Sequence, residues 1–103
     1  MPQRVVRGRR MYLLRVAGDA MARADLDDGD LVLVDADAAP RHGDVVVARL
    51  GGKSLIRRFA RTDSRVSLVP ESASRAHQPL HFEQVPSRLL RGTVDAIYLK
   101  PLR

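Results

Sequence analysis

The sequence contains no cysteine, and only two of its 18 basic residues, Lys53 and Lys100, are lysine. Without cysteine there is no disulfide scaffold, no thiol nucleophile and no thiolate zinc site. Aromatic residues are scarce, two Tyr and two Phe, which leaves little surface for stacking single-stranded bases. No apolar run approaches the roughly 18 residues that a membrane span requires. The first ten residues hold four Arg and no apolar stretch, so they do not form a secretory signal. Together these absences predict a cytoplasmic protein with no membrane contact.

What is present points to one globular domain. A chain of 103 residues fits a single unit. At that size about 65% of the unfolded surface is buried, enough for one small core. The composition, 45% hydrophobic and 29% charged, is that of a folded protein. The net charge of +6 is carried largely by 16 Arg beside abundant Ala, Val and Asp. That skew reads as a compositional habit and weakens the charge as a sign of nucleic-acid binding. The charge is also segregated. Residues 1–10 carry +4, residues 19–44 carry −6, and residues 45–103 carry +7. Such segments either make a dipolar surface or pair with one another.

Short apolar runs separated by turn residues predict a mainly β domain of about seven short, mostly antiparallel strands. Tyr12–Val16 is the first run, ended by Gly18-Asp19. Ala20–Ala24 suits one helical turn, and Asp27-Asp28-Gly29-Asp30 is turn chemistry. Leu31–Val34 reads as a strand buried on both faces. Val45–Leu50 and Ser54–Phe59 flank Gly51-Gly52, a two-residue hairpin signal. Val66–Val69, Leu80–Gln84 and Gly92–Leu99 complete the set, with polar loops at 35–43 and 72–79. In the last strand Val94, Ala96 and Tyr98 are predicted on one face, and Thr93, Asp95, Ile97 and Leu99 on the other. At most two short helical turns are expected.

Several candidate motifs carry no chemistry. The Asp27–Asp30 run lacks the alternating acids and distal Glu of a calcium loop. His77 and His81 have i, i+4 spacing, but Pro79 between them opposes the helix that would align them on a metal. With His42 they read as surface histidines. No serine sits in a nucleophile elbow, and Gly51-Gly52 lacks a phosphate-loop context.

One ordered series stands out. Val16-Ala17-Gly18-Asp19-Ala20-Met21 is followed by Asp28-Gly29-Asp30-Leu31-Val32-Leu33-Val34, then His42-Gly43-Asp44-Val45-Val46-Val47. Leu55-Ile56-Arg57-Arg58-Phe59 and Ser67-Leu68-Val69-Pro70-Glu71-Ser72 come next. In order and spacing, over residues 12–100, this series resembles the self-cleaving serine peptidase domain of LexA-type repressors and UmuD-type mutagenesis proteins. The resemblance implies residues 1–11 as an Arg-rich arm and 12–103 as the peptidase-fold domain. It implies a Ser nucleophile and a neutral Lys base, with no metal and no cofactor. A serine hydroxyl needs an adjacent base, and lysine serves only when burial lowers its pKa.

The resemblance places Ala20 at the nucleophile position and Arg57 at the base position, with Gly18, Asp19 and Met21 as site neighbours. Alanine has no nucleophilic atom, and arginine stays protonated. Lys53, about 13 Å along the same strand, is too far to substitute. Arg58 should face away, and Arg57 is expected over the cleft, paired with Asp19 or solvated. The family's scissile Ala-Gly or Cys-Gly bond is absent from residues 1–11, and Ala17-Gly18 belongs to the site motif. The sequence thus looks like the processed, arm-shortened UmuD form.

From that resemblance follows an expected function: a non-catalytic homodimeric accessory protein of the SOS DNA-damage response, partner of an error-prone translesion DNA polymerase. The strand Gly92–Leu99, apolar on both faces, would pair with its copy at a sheet edge. Three alternatives stand beside it. They are the dimerisation domain of a LexA-type repressor, an autocleaving peptidase inactivated by mutation, and a module contacting DNA weakly through its basic arm.

Overall fold

The computed structural model describes residues 10–102. Residues 1–9, most of the expected arm, lie outside the described residues, as does Arg103. Seven strands form where the apolar runs predict them: β1 (Met11–Arg15), β2 (Leu31–Asp35), β3 (Val45–Leu50), β4 (Lys53–Thr62), β5 (Arg65–Val69), β6 (Leu80–Phe82) and β7 (Leu90–Leu99). They make one antiparallel sheet in the order β1-β2-β7-β3-β4-β5-β6. Among the described residues the helical content is two 3-10 turns, Ala22–Ala24 and Ser87–Leu89. Among the described residues no helix is long and apolar enough to cross a membrane.

The Gly51-Gly52 hairpin forms as its sequence predicts. Both glycines have positive φ, 59° and 79°, which matches the twist of the flanking strands. Pairing then runs from Leu50↔Lys53 to Val45↔Arg58. β4 continues past Phe59 because Arg61 and Thr62 pair with Val66 and Arg65 of β5.

β3 is buried on both faces, so the sheet carries an apolar cluster on each face, where the chain length predicts one small core. Val47 of β3 joins Val16, Met21, Leu26, Val32, Val34 and Ile56. Val46 and Ala48 join Phe59, Val66 and Leu68 on the other side. The predicted double burial of β2 holds as well, since Val32, Leu33 and Val34 are all buried.

β7 departs from expectation in two ways. It is an internal strand rather than an edge, lying between β2 and β3. β3 accompanies it only as far as Thr93. Beyond that, Val94–Leu99 has β2 on one side and no strand on the other among the described residues. Its predicted strict alternation also fails. The register runs Val34↔Val94, Leu33↔Ala96, Val32↔Ile97 and Leu31↔Leu99. Asp95 and Tyr98 are therefore extra residues, and each bulge resets which face the next side chain takes.

Candidate functional site

The chain leaving β1 is turned by backbone bonds to the acidic loop. Val16 N–H donates to the Asp30 carbonyl at 2.8 Å, and Gly29 N–H donates to the Val16 carbonyl at 2.8 Å. Gly18 adopts φ +85°, a conformation that favours glycine. Its N–H donates to Asp28 Oδ1 at 2.7 Å. This turn delivers Asp19, Ala20 and Met21 to the sheet, and Met21 plugs the larger core.

The Ala20–Arg23 segment is held from the far end of the sequence. Glu71 N–H donates to the Ala20 carbonyl at 2.8 Å, and Arg23 N–H donates to the Glu71 carbonyl at 2.8 Å. The Glu71 carboxylate takes a bidentate pair from Arg58, at 3.0 Å from Nε and 2.8 Å from Nη2. Arg58 Nη1 also donates to the Gly43 carbonyl at 2.9 Å. Four of the motifs separated in sequence thus meet at one clamp. Arg58 holds the carboxyl of Glu71 below its ordinary range, and Glu71 raises the Arg58 guanidinium in turn.

Ala20 and Arg57 line one cleft of about 480 Å³. β1 and Val16-Ala17 form one wall, and residues 53–57 of β4 form the other. β5 pairs with β4 only from Arg58 onward, so this first half of β4 has β3 on one side only. Lys53 lines the same cleft at the start of the strand.

Arg57 is 9% exposed. Its Nη1 donates back to the Ile56 carbonyl at 2.8 Å, and its buried Nε has no acceptor among the described residues. Burial pulls its pKa below the ordinary arginine value. Neither outcome expected for Arg57 holds: it is buried rather than solvated, and it does not pair with Asp19. Asp19 Oδ1 instead meets His77 Nε2 at 2.7 Å. That bond is the first cause of a lowered Asp19 pKa.

His77 is the residue that sequence reading missed. Pro79 correctly argues against a helix through His77 and His81, but a loop brings His77 to the cleft without one. His81 meets Ser67 Oγ at 2.7 Å, and His42 Nδ1 accepts from Arg61 N–H at 3.0 Å. No group of three or more metal-binding side chains gathers among the described residues. Asp25, Asp27 and Asp30 converge instead on the Lys100 ammonium.

At this cleft the side chain of Ala20 offers no heteroatom, and the guanidinium of Arg57 offers donors only. The walls are mostly apolar, among them Leu14, Val16 and Leu55. The arrangement suits binding of an apolar segment with a polar end.

The family described as Peptidase S24-like matches residues 1–100. A LexA repressor of Geotalea uraniireducens is 40% identical over 70 residues, covering 68% of this chain and 35% of the relative. One from Streptomyces avermitilis is 36% identical over 80 residues, 78% of this chain and 33% of the relative. One from an Acidovorax species is 36% identical over 89 residues, 81% of this chain and 40% of the relative. The chain thus spans between a third and two fifths of the length of these relatives. With a mainly β sheet that brings the Ala20 and Arg57 motifs to one cleft, and a family match over nearly its whole length, this chain belongs to the Peptidase S24-like family.

Proposed function

We propose that this chain is a dimer-forming domain of LexA-repressor type, acting in the DNA-damage response, in which the cleft does not cut peptide bonds. The observation that carries the non-catalytic reading is the joint placement of Ala20 and Arg57 in one cleft. The resemblance assigns these positions to nucleophile and base, and neither residue performs that role. The similarity to proteins named LexA repressor favours a repressor-type domain over an accessory of a translesion polymerase.

The dimer reading rests on β7. Its Val94–Leu99 half has no second strand beside it among the described residues, and Ile97, Tyr98 and Leu99 are exposed large side chains there. Exposed apolar strand with an open backbone edge is a template for pairing with a copy. Sedimentation at micromolar concentration should give a dimer, and the double variant I97D/L99D a monomer with an unchanged fold. A monomeric parent chain would remove this part of the reading.

The catalytic part has its own test. Incubation with a peptide containing Ala-Gly should leave the peptide intact by mass spectrometry. The variant A20S/R57K, which supplies a hydroxyl and a base whose pKa burial can lower, should cut it. A20S alone should not, because the guanidinium of Arg57 cannot accept the proton. Cleavage by the parent chain or by A20S alone would overturn the assignment.

A further inference from the structure

We propose that the cleft is a carboxylate-binding site, built around Arg57, for a short peptide that ends in a free C-terminus beside small apolar side chains. The inference rests on the reading that the cleft does not hydrolyse peptides.

Arg57 is more than nine-tenths buried, yet it has no carboxylate partner among the described residues. A buried guanidinium with an unused N–H is costly, because its lost hydration is not replaced. Nη1 is satisfied by the Ile56 carbonyl. What remains is the edge formed by Nε and Nη2, the edge that takes a carboxylate with two parallel bonds. Nε is shut off from water, so the ligand has to turn the guanidinium outward through its terminal torsions. Doing so gives Nε the acceptor it lacks.

The charge around the cleft agrees. Arg15, Lys53, Arg57 and His77 line it, and no Asp or Glu does among the described residues. Two of these are already engaged. Arg15 Nη1 donates to the Gly29 carbonyl at 2.9 Å, and His77 is held by Asp19, the acid next to Ala20. Arg57 and Lys53 remain to meet an anion, one deep and one at the start of β4. The other walls are apolar, including Leu14, Val16, Ala17 and Leu55, and a volume of about 480 Å³ falls within the usual range for small-ligand sites. An inorganic anion would leave those walls unfilled. A peptide terminus supplies the carboxylate and the apolar body together.

The test titrates the full chain with N-acetyl-Leu-Ala as the free acid and as its C-terminal amide, followed by NMR shifts of cleft residues. The acid should bind at least tenfold more tightly than the amide. R57M should abolish that preference, and R57K, which keeps charge but loses the two-bond edge, should weaken acid binding about tenfold. The inference is overturned if acid and amide bind alike, if the folded chain binds neither, or if folded R57M or R57K keeps the parent preference. R57K serves where R57M does not fold. Mass spectrometry of the recovered peptide separates the two readings. Cut peptide defeats the non-catalytic reading, whereas intact, unbound peptide defeats the carboxylate site alone.

Discussion

Glu71 does two jobs at once. Its backbone holds Ala20 and Arg23, and its side chain is gripped by Arg58. The pair is about one-third exposed at each partner, so its value is discounted for solvent. E71Q should cost about 1 kcal/mol at pH 7, read from the denaturation midpoint. The pH dependence has a defined sign. A carboxyl lowered from its ordinary 4.5 contributes stability above that value and loses it as pH falls through the lowered folded value. The gap between parent and E71Q should therefore shrink in acid, and a gap unchanged down to pH 3 would contradict this role. Little of this clamp was legible in the sequence. Strand parity places Arg58 on the face away from the cleft, but nothing in a linear pattern ties Glu71 to Ala20. His77 escaped for the same reason: Asp19 and His77 are brought together only by the loop that carries His77 to the cleft.

Among the elements, strands and turns were legible where period and turn chemistry agree. The Gly51-Gly52 hairpin and the doubly buried β2 are cases in point. β7 lies elsewhere than its sequence predicts because its bulges and neighbours are set by partners that the strand's own sequence does not contain. Gly92 shows how tight that placement is. It has φ +149°, and an added Cβ would lie 2.5 Å from Val34 Cγ1 and 2.8 Å from the Asp35 carbonyl oxygen. β7 crosses here between β2 and β3. One neighbour is backbone and cannot step aside, so overpacking adds to backbone strain. G92A should cost roughly 2–3 kcal/mol in chemical denaturation. A loss below 0.5 kcal/mol would mean that the crossing has more room than these distances allow.

Across the whole molecule, the segregated charge of the sequence is partly resolved by pairing within the chain. Arg10 reaches Asp37 at 3.0 Å from the basic start. From the other end, Lys100 donates to the Asp25 carbonyl at 3.0 Å, to Asp27 Oδ2 at 3.2 Å, and to Asp30 Oδ2. Asp30 is fully buried, so the ammonium answers a carboxylate that water does not reach. The latch joins distant functions. It ties the residue after β7, the proposed dimer strand, to the acidic loop, whose Gly29 and Asp28 hold Val16 and Gly18 beside the cleft. K100M should lower the thermal midpoint at pH 7 and loosen the cleft wall, seen as faster amide exchange at Gly18 and Gly29. Lys100 is raised from its ordinary 10.5, first by its bond to Asp30. A raised cation contributes stability in full below that ordinary value and loses it as pH climbs through the raised folded value. The difference in midpoint between parent and K100M should hold from pH 7 to about pH 10 and close only above it. If it closes near neutrality instead, another group sets the stability of the acidic loop.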